Sequence, residues 1–357
     1  MNAFLLVLIG ILLFLLLILF HEFGHFICAK MSGVKVNEFA IGMGPKLFKF
    51  QKGETLYTLR ALPIGGFCAM EGEDEESSDK RSFQNASVYK RMIIVAAGGI
   101  MNIILAFILM MVILAQQSSF ASTKISKFSE NAVINQYGLK EGDIIKKIDG
   151  YNINTYTDIA FALSMKKDFT ANFVVERDGE NIEINDVKLN TTKDKDGNEI
   201  ISRDFYVQPI KKDFGSFFRQ TFWEIFSNTK LTYVSLWKII TGEYGLNAVS
   251  GPVGMAIVIK DAAATGLQQN FLAAVNNIVM IMMVISISLG VMNLLPFPAL
   301  DGGRLVFLLI EAITKKPVPP KYESVVHRIG FILLLSFILF ITINDILKLI
   351  TGKGLTG

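Results

Sequence analysis

Apolar and polar positions divide this chain into long and short periods. Four apolar runs stand out, at residues 3–29, 92–115, 271–295 and 329–347. Each approaches or exceeds the roughly 20 residues that a helix needs to cross a hydrocarbon core. Residues 47–50 and 55–60 alternate apolar and polar side chains around a Gly53-Glu54 turn, which predicts a β-hairpin. Residues 61–70 predict a further strand, with Pro63 favouring an edge position. Residues 124–211 mix short alternating stretches with Gly and Asp turns and form the one soluble segment of domain size. From 214 to 241, Phe218, Phe222, Phe226, Tyr233 and Trp237 recur at helical spacing among polar residues, as in an amphipathic interfacial helix.

Composition agrees with a polytopic membrane protein. Of 357 residues 51% are hydrophobic, and the mean hydropathy is +0.44, above ordinary soluble usage. A net charge of +3 names no partner, and no basic stripe with interleaved aromatics points to nucleic acid. Cys28 and Cys68 make no disulfide framework, and Cys28 reads as a small packing residue. The first run lacks a basic leader, so it reads as a retained span and not as a cleaved signal peptide. Lys30, Lys35, Lys90, Arg91, Arg304, Lys315, Lys316, Lys321 and Arg328 bias two connections toward the cytoplasm, which puts both termini outside.

Against this apolar background the pentad His21-Glu22-Phe23-Gly24-His25 stands out, because it continues the first run. Ionisable groups at membrane depth are costly and point to function. On a helix His21 and His25 share one face, one turn apart, where they can grip one zinc ion. Glu22 beside them can take a proton from water and pass it to a leaving amine. The competing reading, a solvated helical face met by chance, suits a continuation of an apolar helix poorly.

A zinc site open to water needs a third protein ligand. Gly290-Val-Met-Asn293-Leu-Leu-Pro296-Phe-Pro298-Ala-Leu-Asp301-Gly302-Gly303 follows the third run. Its prolines stop a regular helix and its glycines permit unusual turns, so Asp301 can be presented at membrane depth. Alternatively Asp301 only caps a helix.

Together the two motifs resemble the site-2 protease family of intramembrane metalloproteases, and more narrowly its bacterial RseP/RasP group with a PDZ domain. The resemblance covers nearly the whole chain. It implies Zn2+ as cofactor, His21, His25 and Asp301 as ligands, and Glu22 as the catalytic base. It further implies a membrane-reentrant sheet around Ile64, Gly65, Gly66 and Phe67 that holds substrate, with Asn293, and with Asn102 of the second run, near the site or the substrate. Independently, a substrate helix must be unwound before its carbonyls are attacked, and an edge strand could hold it extended. A hairpin that merely packs on the helices is the plainer alternative. Gly138-Leu139-Lys-Glu-Gly142-Asp143-Ile-Ile-Lys-Lys-Ile148-Asp149-Gly150 resembles a PDZ signature, with residues 158–165 as the helix flanking a peptide groove.

The expected architecture is thus a polytopic α-helical membrane protein with about four transmembrane helices, a membrane-associated β-hairpin or sheet and one extracytoplasmic PDZ-like α+β domain. Its order is span 1–29, β region and acidic loop 30–91, span 92–115, PDZ-like domain 116–211, interfacial helix and connector 212–270, span with the Leu-Asp-Gly motif 271–303, cytoplasmic loop 304–328, and span with tail 329–357. His327 reads as an interfacial residue. The expected partners are the bilayer and single-pass transmembrane substrates already trimmed outside the membrane, such as anti-sigma factors or remnant signal peptides. The expected place is a bacterial inner membrane. Two alternatives are a membrane zinc protease that cuts cytoplasmic loops, and a metal transporter or PDZ scaffold.

Overall fold

A computed structural model describes residues 2–73, 77–166, 168–193, 199–245 and 249–351. The chain divides into two compact units, residues 1–109 with 235–357, and residues 110–234.

In the first unit, α1 (Asn2–Ser32) leads into β1 (Val36–Lys52) and β2 (Thr55–Met70), and α2 (Val88–Ala115) begins there. Downstream come α5 (Pro252–Leu267), α6 (Phe271–Leu294), α7 (Asp301–Thr314) and α8 (Pro320–Thr351). Among the described residues, Phe4–Ser32, Val88–Ala115, Phe271–Leu294 and Tyr322–Ile350 are helices long and apolar enough to cross a membrane. These match the four expected spans. Phe331, Leu333, Leu339 and Phe340 of α8 point outward, as lipid-facing side chains do.

Two small-residue contacts bring the helices together at backbone distance, the usual means of packing in lipid. A Cβ on Gly24 of α1 would lie 2.3 Å from the Ala97 carbonyl oxygen of α2. A Cβ on Gly290 of α6 would lie 2.8 Å from the Gly99 carbonyl oxygen. Ser286 Oγ adds a polar tie, donating to the Asn102 carbonyl at 2.7 Å. An apolar core of Ala29, Val36, Phe39, Met70, Ile94 and Leu308 binds the end of α1 to the hairpin, α2 and α7.

The β region is one long bent hairpin. Residues 46–52 pair with 55–60; residues 38–41 then lie beside 56–59 on one side and 66–69 on the other. The stretch 61–70 is therefore the continuation of β2 and not a separate strand, and residues 66–70 form an outer edge. Glu38 ties the bend, accepting from Thr58 Oγ1 at 2.7 Å, Arg60 Nη2 at 2.7 Å and Lys46 Nζ at 2.9 Å. Burial opposes its ionisation, but these three bonds outweigh it and hold the carboxyl at about 2. The acidic stretch after β2 is tied down where it is described: Glu71 accepts from Ser77, Asn37 and Lys35. Residues 74–76 of that stretch lie outside the described residues.

Three boundaries differ from the sequence expectation. The third span ends at Leu294, and Asp301 opens a new helix, α7, instead of closing the old one. Residues 304–328, expected as a loop, hold most of α7 and the start of α8, because the Leu305–Ile313 run is amphipathic and docks Leu308 in the core. Residues 251–254 head an additional helix, α5: Gly251 and Gly254 donate their amides to Asp345 Oδ2 of α8 at 2.9 and 2.8 Å, capping the helix start.

The second unit holds β3 (Ser119–Phe128), β4 (Ile144–Ile148), β5 (Tyr151–Asn152), α3 (Tyr156–Ser164), β6 (Thr170–Arg177), β7 (Glu180–Lys188), the short pair β8 (Thr191–Lys193) and β9 (Glu199–Ile201), and β10 (Phe205–Lys211). The main sheet runs β10-β3-β4-β6-β7, with β5 on β4. Its core includes Ile125, Ile145, Ile148, Ile159, Phe173 and Val187. Asp178-Gly179 joins β6 to β7 with both φ positive, as a two-residue hairpin turn requires. Asp143, fully buried, is gripped by the Arg177 guanidinium at 2.7 and 2.8 Å and by the Lys140 amide at 2.8 Å. That grip is why the Gly-Leu-x-x-Gly-Asp signature holds its shape.

The second unit also holds most of α4 (Phe214–Ile240), whose last residues fall in the first. Phe214, Phe222, Phe226 and Trp237 are exposed, while Glu224, Ser227 and Asn228 are buried. Ser227 Oγ and Lys230 Nζ reach Asp158 of α3 at 2.7 and 2.9 Å, and Thr157 Oγ1 reaches Glu224 at 2.8 Å. Thus α3 is fastened to α4 by its polar first turn.

Candidate metal centre

The C-terminal half of α1 carries the pentad. Helical spacing places the His21 and His25 rings edge to face, 4.8 Å between centroids. Asp301 arrives from the first turn of α7, where a carboxylate also suits the positive end of the helix dipole. The three donor atoms form a nearly equilateral triangle. His21 Nε2 lies 3.3 Å from His25 Nε2, and Asp301 Oδ2 lies 3.4 Å from each.

No hydrogen-bond donor fills that triangle. His25 Nδ1 lies 2.9 Å from the Ile94 carbonyl oxygen, which can only accept. The proton therefore sits on Nδ1, and Nε2 presents a lone pair. Asp301 Oδ2 is buried and receives no hydrogen bond. Electron pairs that face one another at this range repel unless a cation lies among them. Donors about 2.0–2.1 Å from a tetrahedral zinc ion lie about 3.3–3.4 Å from one another. The triangle has that edge length, so the donor set fits zinc and leaves a fourth position open.

The surrounding residues orient the rings. The carboxamides of Asn102 on α2 and Asn293 on α6 both lie 3.4 Å from His21 Nδ1. A ligating imidazole carries its proton there, so the proper partner is a carboxamide oxygen. Asn102 Oδ1 is buried and otherwise unbonded, and a half-turn of the amide delivers it. Gly98 of α2 packs directly against the two rings. A Cβ there would lie 2.3 Å from His25 Nε2 and 2.6 Å from His21 Cε1. It is the floor of the centre, and the only sequence signal for it is a small residue four before the polar Asn102.

Glu22 stands on α1 beside the ligands and outside the triangle. Its Cγ lies 3.2 Å from where a Cβ on Gly66 would be, so the outer edge of β2 passes directly over it. Gly65 takes φ +78°, and Phe67 lies beneath the Arg60 guanidinium at 4.8 Å. The backbone of Ile64 continues β2, while its side chain lies outside the described residues. The structure thus brings His21, His25 and Asp301 together, with Asn102 and Asn293 against His21, and places Glu22 and Gly66 against each other at their margin.

Long apolar helices and a partly buried His-His-carboxylate triangle toward their ends fit a membrane-embedded metallohydrolase class. Comparison with known proteins makes the class specific. Residues 9–337 match the model of peptidase family M50. A protein of Clostridium perfringens is 37% identical over 96% of this chain and 98% of its own length, and one of Clostridium acetobutylicum is 39% identical over 95% and 97%. Both carry the name "putative zinc metalloprotease". The regulator of sigma-W protease RasP of Bacillus subtilis is 30% identical over 95% and 97%. The chain belongs to peptidase family M50, the site-2 proteases, and is a multi-pass membrane zinc metalloprotease of that type. The transporter and scaffold readings give way to the enzyme.

Proposed function

We propose that this enzyme hydrolyses peptide bonds inside the transmembrane segments of single-pass proteins, with His21, His25 and Asp301 as zinc ligands and Glu22 as the proton carrier. The observation that carries the reading is the triangle of two imidazole nitrogens and a carboxylate oxygen, 3.3–3.4 Å apart, toward the end of a membrane-spanning helix. Zinc bound there supplies Lewis acidity, making water nucleophilic at neutral pH and polarising the scissile carbonyl. Glu22 takes a proton from the attacking water and hands it to the departing amine nitrogen. Asn102 and Asn293 fix the His21 ring, and Asn293 can also turn toward the substrate backbone.

The edge of β2 holds the unwound substrate. The Met70 amide donates away from β1, to Glu73 Oε2 at 3.4 Å. Amides alternate in direction along a strand, so those of Gly66 and Cys68 also point outward, on the side where a strand could be added, with the Cys68 amide against the Glu22 carboxylate. The charge bias puts residues 119–211 outside the cytoplasm, where a PDZ-like unit screens substrates by their outer portion. The name of the Bacillus subtilis relative supports membrane-bound regulators of sigma factors as one substrate class.

Two variants test the centre on purified protein. Glu22→Gln should keep about one zinc per chain and lose hydrolysis by at least about 100-fold. Asp301→Ala should lose zinc at limiting metal as well as activity. Hydrolysis at the wild-type rate in Glu22→Gln, or full zinc affinity in Asp301→Ala, would overturn the assignment.

A further inference from the structure

We infer that His327 is a positioning residue for Asp301: from α8 it holds the strained turn that delivers this carboxylate to the two histidines. The chain leaves α6 at Leu294 and re-enters a helix at Asp301. In between, Leu295, Phe297 and Leu300 donate their amides within the neighbouring main chain, to Met292, Leu295 and Phe297. Ala299 does not. Its N–H leaves the break and donates to His327 Nδ1 at 3.1 Å.

Ala299 is also the strained residue. Its φ is +78°, in the left-handed region that a Cβ disfavours. Such a conformation persists only where its surroundings over-determine it. Pro298 restricts the position before it, and the His327 bond fixes its amide. Gly330, one turn after His327 on the same face of α8, closes the grip: a Cβ there would lie 2.3 Å from Pro298 Cβ. The turn is thus clasped by α8 at two successive points, two residues before the carboxylate. No other helix donates a side chain to it among the described hydrogen bonds. His327 itself is steadied by the Phe307 ring, 5.9 Å between centroids.

The inference rests on Asp301 being a ligand, and separates two properties of His327. Phenylalanine keeps the ring against Phe307 and removes the acceptor. Asparagine removes the ring and keeps an acceptor oxygen near the place of Nδ1. Full-length protein in detergent micelles is titrated with zinc against a chromophoric chelator, and the absorption spectrum of the cobalt-substituted protein is recorded. Partners that orient a ligand are worth about 10–100-fold in metal affinity. His327→Phe should lose that much and shift the cobalt spectrum, while His327→Asn should stay within about threefold of wild type.

Glycine adopts φ +78° freely, so His327→Phe built on Ala299→Gly should lose less than in the wild-type background. Wild-type affinity in His327→Phe would overturn the inference. So would a loss beyond about tenfold in His327→Asn, which would mean that ring packing is what matters. Asp301→Ala is measured in parallel. Unchanged affinity there removes the metal centre itself; a loss there with none in His327→Phe removes only the role of His327.

Discussion

At the scale of single residues, the centre depends on an absence as much as on its ligands. Gly98 admits both imidazoles only because it has no Cβ, which would sit 2.3 Å from His25 Nε2. Gly98→Ala must push the ring or α2 aside, since the helix backbone cannot yield locally. Zinc affinity should fall by about 10–100-fold, as for loss of an orienting partner, while the helical circular dichroism stays unchanged. Zinc titration checks it, and full affinity would show that the rings have room to spare. The proposed ligands were legible in the sequence because their spacing is itself the signal: four residues on a helix for His21 and His25, and a Pro- and Gly-broken span for Asp301. Gly98 was not, because a glycine pair serves helix packing equally well, and only the register of α1 against α2 says what it faces. Ala299 and His327 were hidden for the same reason, since a positive φ and its anchor on another helix leave no local mark.

At the scale of elements, apolar periodicity located the four spans and the hairpin, and missed what tertiary contact decides. α7 was read as loop because its charged flanks resemble a connection, yet Leu308 finds a core. The aromatic stripe of α4 was legible; its buried polar face was not, because Ser227 and Glu224 would suit solvent equally well until Asp158 and Thr157 are seen opposite them. The edge of β2 yields a test of substrate pairing. Cys68→Pro removes an outward amide, one that also meets the Glu22 carboxylate, and leaves the pairing with β1 in place. One lost main-chain bond is worth about 1 kcal/mol, so cleavage of a stably helical substrate should fall about fivefold. A substrate already loosened by Gly or Pro should be affected less. Equal losses for both, with zinc content intact, would mean that the edge acts only through Glu22 or the fold.

At the scale of the whole molecule, every residue of the centre lies within residues 1–109 and 235–357. The second unit lends no ligand, so its effect should fall on selection. Replacing residues 119–211 by a short flexible linker should preserve hydrolysis of a minimal transmembrane substrate. It should also permit cutting of substrates that still carry a bulky outer domain. Fragment sizes in a co-expression assay report both, and loss of the minimal reaction in a zinc-loaded deletion would make the unit part of the working core. The long interval between pentad and carboxylate has a consequence in time. At about 5–20 residues per second, Asp301 follows His25 out of the ribosome by roughly 14–55 s. Throughout that interval the nascent chain shares the insertion machinery with other newly made membrane segments. A protease missing its last donor is inert among them, and it becomes competent only after its third span has been laid down.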